Sequence, residues 1–266
     1  MENKPDVLIL TADAEDNPPL LQGLTAEGVN LPAVESIEAA KQAYAGQTVV
    51  LGRPDLVAAL LPGWPEVRWV QSSWAGVTPL LNCGRTDYLL TGIKDTFGTE
   101  MAEYVMTYML MNELKVLERL GRQANKSWWD EYSGSLFGKT IAVMGTGSIG
   151  ARIAKQAASF GMHCIGLNRK GTAVEGFDET YSSGQLNEFL SRADYVVGVL
   201  PDTPETRGLV GKDAFRAMNS YAYLVNVGRG TLINENELVE ALLGGQLAGA
   251  ALDVFQQEPL PENSPL

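Results

Sequence analysis

The stretch that decides the fold runs from Thr140 to Ala154 and reads TIAVMGTGSIGARIA. An apolar run precedes three glycines, and a run with apolar residues at helical spacing follows them. In this context GxGxxG predicts a strand, a phosphate-binding turn and a helix, with a turn that binds nothing as the alternative. The first glycine permits the tight turn, the second the close approach of a pyrophosphate, and the third close helix packing. The expected dinucleotide contacts here are Gly145, Thr146, Gly147, Ser148, Ile149 and Gly150.

The segment Asn168-Arg169-Lys170 bears on which dinucleotide binds. It lies about 20 residues beyond the turn, where NAD-binding proteins carry an acidic residue that binds the ribose 2′-hydroxyl. A carboxylate there would repel a 2′-phosphate, whereas Asn168 is neutral and Arg169 and Lys170 are basic. The sequence therefore predicts a preference for NADP(H), with NAD(H) as the second choice. A solvated basic turn at a strand end is the alternative, since surface charges are often unpaired.

Short apolar runs alternate with helix-like stretches along the chain, which predicts an α/β fold with parallel sheets covered by helices. Two such series predict two domains, 1–98 and 99–266. Expected strands are 7–10, 48–52, 67–71, 140–145, 163–168, 195–201, 222–228 and 248–255. Expected helices are 33–43, 55–61, 98–120, 148–160, 185–191, 212–218 and 235–243. Asn234 and Glu237 are spaced as a capping pair, and Gly161 and Gly244-Gly245 are expected to end helices.

The charge balance argues against several classes of partner. The chain has 266 residues with 20 basic and 32 acidic side chains, a net charge of −12. This excess repels nucleic-acid backbones and anionic lipids, so neither is expected as a partner. Cys83 and Cys164 are far apart without a CxxC or Cys/His pattern, so we expect no disulfide framework and no metal. The chain shows no signal-peptide pattern and no long apolar run, and we expect a cytoplasmic protein.

Several further motifs, taken together, resemble the D-2-hydroxyacid dehydrogenase family, and most closely its glyoxylate/hydroxypyruvate reductase branch. They are VQSSWAGV from Val70, GTEMAEY from Gly98, Leu200-Pro201 with 203–206, LVNVGRGTLINE from Leu224 and AALDVFQQEP from Ala250. The resemblance covers nearly the whole chain. It implies a flavodoxin-like substrate-binding domain at 1–98 and a Rossmann NAD(P)-binding domain at 99–266.

The resemblance assigns catalytic roles to Arg229 and Glu258. Arg229 would bind the carboxylate and carbonyl oxygen of a 2-keto acid, because a planar guanidinium pairs with two oxygens at once. Considered alone, Arg229 could instead cap loop carbonyls. Glu258 would pair with a catalytic histidine, or it could be a solvated acid. Asp253 would accept a hydrogen bond from the nicotinamide carboxamide, or it could be a simple strand-end acid. The other cofactor contacts that the resemblance implies are Leu200, Pro201, Thr206, Val227 and Gly228.

The substrate loop implied by the resemblance is Trp74-Ala75-Gly76-Val77. Its backbone N–H groups would hold the substrate carboxylate, and Gly76 suits a tight anion-binding turn. Trp74 would wall the pocket or, as is common for tryptophan, belong to the core. Arg53 is a second candidate substrate contact. Thr78-Pro79 departs from the acidic or amide residues that many relatives carry after this loop.

Reduction of a ketone requires a proton donor, because hydride addition leaves negative charge on oxygen. In the family that the motifs resemble, a histidine beyond the Glu258 motif supplies the proton. His163 is the only histidine of this chain, and its position at the start of a strand predicts a structural role. We therefore expect a C-terminus truncated before the catalytic histidine. The 266-residue polypeptide by itself should be nearly inert, and the complete protein should be an active reductase.

The leading hypothesis is NADPH-dependent reduction of small 2-keto acids of the glyoxylate/hydroxypyruvate class to D-2-hydroxy acids. The alternative is a dinucleotide-sensing protein of the corepressor type without turnover. A Rossmann oxidoreductase for larger acids such as phosphoglycerate ranks third, because the N-terminal domain shows few basic residues. The resemblance also implies a homodimer, and Trp128 and Trp129 belong either to the core or to a subunit contact.

Overall fold

The computed structural model describes residues 7–12 and 31–266. The chain forms two compact units, one ending at Lys94 and the other beginning at Asp95. Each unit contains its own parallel sheet, so the predicted α/β class is confirmed. Residues 95–98 belong to the second unit.

The first unit contains a five-stranded sheet in the order β2-β1-β3-β4-β5. This is the strand order of flavodoxin-like folds, in which ligands bind where the order reverses, between β1 and β3. The strands are β1 (Val7–Leu10), β2 (Ala33–Val34), β3 (Val49–Gly52), β4 (Trp69–Ser72) and β5 (Leu89–Thr91). The helices of its described residues are α1 (Ile37–Ala43), α2 (Pro54–Leu60) and α3 (Thr78–Leu81), with a 3-10 turn at Leu61–Gly63. Leu8, Val50, Val57 and Val70 lie at the centre of its core.

The second unit contains a six-stranded sheet in the order β11-β10-β9-β6-β7-β8, which is the Rossmann arrangement. Its strands are β6 (Thr140–Met144), β7 (His163–Asn168), β8 (Glu179–Ser182), β9 (Tyr195–Gly198), β10 (Tyr223–Asn226) and β11 (Gly249–Leu252). Its helices are α4 (Gly98–Glu113), α5 (Val116–Ala124), α6 (Ser148–Ser159), α7 (Leu186–Ser191), α8 (Lys212–Ala217) and α9 (Glu235–Leu243). Short 3-10 turns lie at Ser183–Gln185 and Gly230–Leu232. The strand order reverses between β6 and β9, and ligands of such sheets bind outside the carboxyl ends there.

Two hydrophobic clusters hold the second sheet. One contains Val105 and Met109 of α4 together with Ile153 of α6. The other contains Phe189 of α7 and Phe215 of α8, together with side chains of α9. The strands β6, β9 and β10 are nearly continuous apolar runs, as expected for a parallel sheet covered on both faces.

The helix predicted over 98–120 is wrong in one respect, because it breaks after Glu113. Lys115 adopts a left-handed conformation with φ of 52°, and α5 begins at Val116. Packing explains the break, since α4 buries a row of side chains whereas α5 buries none. Leu117 and Leu120 are exposed. Nothing in the core therefore requires α5 to continue the axis of α4.

Smaller differences occur at elements that are short or of mixed polarity. The segment predicted as a helix over 33–43 begins instead with the two-residue strand β2, and Ser36 caps α1. The strands β5 and β8 and the helix α3 were not predicted. The predicted capping pair is confirmed, since Asn234 Oδ1 accepts a hydrogen bond from Glu237 N at 3.3 Å. Gly161 and Gly245 end their helices with φ of 73° and 68°.

Candidate active site

The glycine-rich turn after β6 has the geometry that its three glycines predict. Gly145 has φ of 114°, a conformation that side chains rarely adopt. A β-carbon on Gly150 would collide with the carbonyl oxygen of Gly145, so α6 packs directly on the turn. Gly147 has no atom within 4 Å of a β-carbon position, which leaves open space above the helix N-terminus. No side chain caps α6, so its first N–H groups are available to an anion.

Asn168 ends β7 and builds the turn that presents the two basic residues. Its Oδ1 accepts hydrogen bonds from Lys170 N at 3.2 Å and Thr172 N at 3.1 Å. Its Nδ2 donates to Thr172 O at 2.8 Å and approaches Thr146 Oγ1 at 3.4 Å. The side chain of Asn168 therefore orders the loop and connects it to the glycine turn. The exposed side chains of Arg169 and Lys170 extend from this ordered loop.

A cavity of about 630 Å³ lies beside this loop, where β7 and β9 end. Five predicted cofactor residues line it: Asn168, Arg169, Leu200, Pro201 and Thr206. Thr206 closes the loop after β9, because its Oγ1 donates to Pro201 O at 2.6 Å. Glu205 also lines the cavity and was not predicted. Backbone and Thr203 hydrogen bonds lower the pKa of its carboxyl group, and the charge of Arg169 lowers it further.

The end of β10 carries the motif that contains Arg229. The side chain of Asn226 is fully buried there and accepts a hydrogen bond from Gly228 N at 3.2 Å. It also donates to Arg229 O at 3.0 Å. A β-carbon on Gly228 would lie 3.0 Å from Leu200 O, so the turn passes close to the cofactor-side loop. Val227 is buried in the core.

Arg229 is half-buried, and its guanidinium makes one short hydrogen bond, from Nη1 to Gly228 O at 2.6 Å. Within residues 7–12 and 31–266, no carboxylate forms an ion pair with it. The charge of Arg229 nevertheless acts on Asp202. Hydrogen bonds from Arg207 and then Thr231 lower the pKa of that carboxyl group most, and the charge of Arg229 lowers it further. A guanidinium carries five N–H donors in a fixed fork. Arg229 can therefore receive an anion with donors to spare.

Asp253 and Glu258 lie on the segment that follows β11. Asp253 is exposed, and its N–H donates to Asn226 O at 3.0 Å. Burial, Tyr108 and then Asp253 raise the pKa of Tyr104, so the carboxylate of Asp253 lies near that phenol. Glu258 is exposed, and its Oε1 accepts a hydrogen bond from Phe255 N at 2.9 Å. The segment therefore packs beside the turn that carries Arg229, since a β-carbon on Gly230 would collide with Phe255 O.

The candidate substrate loop follows β4 in the first unit. Ser72 is fully buried, and its Oγ accepts from Trp74 N at 3.1 Å and donates to Trp74 O at 2.7 Å. The N–H of Trp74 is thus already used, which leaves 75–77 as the part of the loop with N–H groups to offer. Trp74 is 48% exposed, so the core alternative for it is wrong. The guanidinium of Arg53 lies 4.7 Å from its ring centroid and forms an ion pair with Asp55 at 2.7 Å.

Comparison with known proteins decides the family. Residues 107–266 match the family model described as D-isomer specific 2-hydroxyacid dehydrogenase, NAD binding domain. The chain belongs to this family. It is 33% identical over 250 residues to glyoxylate/hydroxypyruvate reductase B of Enterobacter sp. (strain 638), covering 87% of this chain and 74% of that relative. The resemblance stated from the motifs is therefore confirmed, and the protein is an oxidoreductase.

Solved structures of the 2-hydroxyacid dehydrogenase family confirm the fold. A family protein from Aeromonas salmonicida subsp. salmonicida A449 is 35% identical with a TM-score of 0.93, covering 99% of this chain and 86% of that one. An NADPH-dependent glyoxylate/hydroxypyruvate reductase from Sinorhizobium meliloti, solved with NADP and sulfate, is 27% identical with a TM-score of 0.83. That alignment covers 98% of this chain and 84% of the reductase. Binding of NAD(P) and a role on 2-hydroxy acids follow for this chain.

Two buried polar residues, each beside a candidate loop of its own unit, were not predicted from the sequence. Ser72 and Asn226 are each the last residue of a strand and fully buried, and each holds the backbone of the loop that follows. Both lie inside motifs that carry the family resemblance. The available signal was a polar residue at the end of an apolar strand, because a buried polar group must find hydrogen-bond partners close by.

The single histidine lies at the opposite end of its strand from the candidate cofactor loop. His163 begins β7, whereas the loop that presents Arg169 follows the other end of that strand. Its ring nitrogens lie 3.2 Å from Asp178 Oδ2 and 3.2 Å from Glu179 Oε1. In the described part of the chain, no cluster of acidic, cysteine and histidine side chains could hold a metal ion. No helix in that part is both long and apolar enough to cross a membrane.

Proposed function

We propose that this protein reduces small 2-keto acids of the glyoxylate/hydroxypyruvate class to D-2-hydroxy acids, with NADPH as the preferred reductant. The observation that carries the proposal is Arg229, a half-buried guanidinium without a carboxylate partner among the described residues. It lies at the carboxyl end of a Rossmann strand, where ligands of such sheets bind. Similarity to a reductase that is named for these two substrates supports the substrate class.

The residues of this chain have separate tasks in the proposed reaction. Arg229 binds the substrate carboxylate and the carbonyl oxygen with its fork, which orients the carbonyl carbon and polarises its double bond. In the first unit, the N–H groups of 75–77 are proposed to bind a substrate carboxylate. Trp74 is proposed as a wall beside them, and Arg53, held by Asp55 against the Trp74 ring, adds positive charge there. The fork of Arg229 favours a short acid whose carboxylate adjoins the ketone, because it binds both groups at once.

The dinucleotide-binding residues fit the cofactor that the family implies. The open space at Gly147 and the uncapped N-terminus of α6 suit a pyrophosphate, and Asp253 suits the nicotinamide carboxamide. When bound, the reduced dinucleotide supplies a hydride to the carbonyl carbon. The carbonyl oxygen must then take a proton. In the family a histidine beyond the Glu258 motif gives this proton, and Glu258 is proposed to orient that histidine. An acidic partner favours the charged, proton-bearing form of a histidine.

The preference for NADP(H) follows from charge at the end of β7. Asn168 offers no carboxylate to repel a 2′-phosphate, and the side chains of Arg169 and Lys170 extend from the loop that Asn168 orders. Arg169 also lines the 630 Å³ cavity. NAD(H) is proposed as the weaker alternative, because the same cavity accepts the shared adenosine.

Reversing the charge of Arg169 tests this preference. Arg169→Asp should weaken NADPH binding about 10-fold or more and leave NADH binding within about 2-fold, because only the 2′-phosphate meets the charge. Titration of the nicotinamide fluorescence measures both constants. Arg216→Asp is the matched control, since it makes the same change of charge on α8, where Arg216 pairs with exposed Asp213. Equal weakening of both dinucleotides by Arg169→Asp would count against the proposed preference.

A homodimer of this protein in the cytoplasm is part of the proposal. Trp128 is 86% exposed and Leu117 is 70% exposed, so neither belongs to the core. Trp129 lies between Arg119 and Arg122, with its ring centroid 5.1 and 4.8 Å from the two guanidinium carbons. Large apolar side chains that are exposed in this way support a subunit contact. Sedimentation of the protein at micromolar concentration should give twice the monomer mass, and Trp128→Ser with Leu117→Ser should give the monomer.

A dinucleotide-sensing protein without turnover is the second candidate. An assay of the full-length protein separates the two, with NADPH as reductant and glyoxylate, hydroxypyruvate or phosphohydroxypyruvate as substrate. We expect oxidation of NADPH with the first two substrates, formation of D-glycerate from hydroxypyruvate, and poor turnover of the phosphorylated acid. Tight NADPH binding without oxidation by any of the three would favour the sensor instead.

A further inference from the structure

The strongest unassigned feature is the fully buried amide of Asn226, the last residue of β10. The register of the sheet holds its backbone on both sides, since Asn226 pairs with Gly198 of β9 and with Leu252 of β11. Its backbone carbonyl is occupied by Asp253 N at 3.0 Å. The side chain therefore projects from a rigid point between the two loops that carry Arg229 and Asp253.

Both ends of the amide are used on the turn that follows. Oδ1 accepts from Gly228 N at 3.2 Å, and Nδ2 donates to Arg229 O at 3.0 Å. Arg229 O also accepts from Leu232 N at 3.1 Å, which begins the 3-10 turn. The carbonyl of Arg229 thus has two donors, and its guanidinium in turn donates to Gly228 O. The Asn226 amide and the Arg229 guanidinium thus hold three backbone atoms next to the Arg229 side chain: Gly228 N, Gly228 O and Arg229 O.

Resting on the function proposed above, we infer that Asn226 is a positioning residue that sets where the Arg229 guanidinium lies. The task requires an acceptor atom and a separate donor atom side by side at the end of a short side chain, and the amide of asparagine supplies both. An aspartate would place an oxygen against Arg229 O and bury a charge, at a cost in stability. A serine could accept from Gly228 N and would leave Arg229 O with one donor fewer.

The site also leaves the amide little freedom to turn. A β-carbon on Gly198 would lie 3.0 Å from Asn226 Oδ1, and closer still to the end of Leu232. Gly198 therefore provides the space in which the amide lies. Replacing Gly198 by alanine should push the amide off its partners while leaving Asn226 present, which gives a second and independent way to disturb Arg229.

A structural role and a positioning role are separated by a matched control. Asn219 lies before the start of β10, at the opposite end of that strand, and its Nδ2 donates to Ser191 O at 3.0 Å and Ala193 O at 3.1 Å. Like Asn226, it makes two hydrogen bonds from its side chain to the backbone. Asn219→Ala therefore removes the same number of hydrogen bonds, although from a half-buried side chain, and only Asn226→Ala should lose the alignment of Arg229.

The experiment compares Asn226→Ala, Asn226→Ser, Gly198→Ala and Asn219→Ala in the full-length protein. For Asn226→Ala we expect kcat/KM for glyoxylate to fall about 100-fold, with NADPH binding within about 3-fold of the unmodified protein. The affinity for oxamate, an unreactive 2-keto acid analogue, should fall in parallel. The kcat/KM of Asn226→Ser and of Gly198→Ala should lie between those of Asn226→Ala and the unmodified protein. For Asn219→Ala, kcat/KM, NADPH binding and oxamate affinity should all stay within about 3-fold of the unmodified protein. Retention of full kcat/KM by a folded Asn226→Ala would overturn the inference, and so would an equal loss in Asn219→Ala.

A crystal structure of Asn226→Ala, or of Asn226→Ser if the alanine variant does not fold, supplies a readout that does not depend on turnover. The guanidinium of Arg229 should be displaced or disordered relative to the unmodified protein, and an unchanged position would overturn the inference. If the unmodified protein does not reduce any 2-keto acid, the proposed function fails. The crystallographic comparison then still decides whether Asn226 positions Arg229.

Discussion

At the ends of β4 and β10, two different side chains hydrogen-bond the backbone of the loop that follows the strand. Each strand ends in a fully buried polar residue, Ser72 or Asn226, that binds the N–H group two residues further along the chain. The hydroxyl of Ser72 returns to the carbonyl of that same residue, Trp74, at 2.7 Å. The longer amide of Asn226 reaches one residue further, to the carbonyl of Arg229.

The difference in reach determines what each loop can offer to a ligand. After β4 the Ser72 side chain holds the backbone of one residue, and the N–H groups of 75–77 are the donors that the proposal assigns to an anion. After β10 the Asn226 side chain holds Gly228 N and Arg229 O, and the proposal assigns the anion to the guanidinium of Arg229 instead. On this proposal a hydroxyl supports a loop that binds through backbone donors, whereas an amide supports the backbone that carries one guanidinium. The variants below test this division, beginning with the largest expected effect.

Replacing the guanidinium removes what the β10 loop offers. Arg229→Met should lower kcat/KM for glyoxylate about 1000-fold, because a charged, two-point contact with the reacting acid is lost. Arg229→Lys should recover a small part of it, since lysine keeps the charge without the fork. Steady-state kinetics measures both variants, with Arg216→Met as the control. A loss below about 5-fold in Arg229→Met would show that the substrate anion binds elsewhere.

Removing the hydroxyl of Ser72 should weaken binding more than turnover. Ser72→Ala frees both backbone atoms of Trp74, so the loop loses its fixed start and the KM for glyoxylate should rise about 10-fold with a smaller change in kcat. The free energy of unfolding should fall by about 1–3 kcal/mol, because a buried donor and acceptor lose their partner. Ser159→Ala is the matched control, since the Ser159 hydroxyl donates to Gln156 O on the surface of α6. An unchanged KM would separate this loop from substrate binding.

A buried network at α4 and β9 should affect stability alone. Glu113, which is buried, accepts from Lys139 Nζ at 2.7 Å and from the Tyr195 hydroxyl at 2.6 Å. Lys139→Met leaves that carboxylate without its cation, and the free energy of unfolding should fall by about 2 kcal/mol. Urea unfolding measures the loss. The kcat/KM should stay within about 2-fold, because Tyr195 begins β9 and the proposed site uses the other end of that strand.

The smallest expected effect concerns acid stability of the turn that follows Arg229. Asp202 accepts from Arg207 Nε at 2.7 Å and from Thr231 Oγ1 at 3.0 Å, and these contacts lower its pKa. Because the folded pKa is depressed, this stabilisation is complete above the ordinary aspartate pKa of about 4 and is lost as pH falls through the folded value. Asp202→Asn should therefore have a lower free energy of unfolding than the unmodified protein near neutral pH. The difference between the two free energies should become smaller as the pH falls. Urea unfolding from neutral to acidic pH measures this difference. A difference that does not change with pH would contradict a lowered pKa of Asp202.

Most of the second unit could be predicted because its signals are local. A glycine that must adopt positive φ, or that must let a helix approach a strand, is visible in the sequence, and Gly145 and Gly150 both proved to be such positions. The break at Lys115 could not be predicted in this way. Apolar residues recur at helical spacing on both sides of it, and only packing on the sheet distinguishes the buried helix from the exposed one.

By itself, the amino-acid sequence determined the parallel α/β class, the dinucleotide turn and the family, because each depends on residue types at fixed spacing. Only the tertiary structure decided what Ser72, Asn168 and Asn226 do, since a hydrogen bond depends on where two atoms lie and not on residue type. The same holds for Arg229. Its guanidinium does donate one hydrogen bond to a loop carbonyl, Gly228 O, and pairs with no carboxylate among the described residues, so its other donors are the ones that the proposal assigns to the substrate.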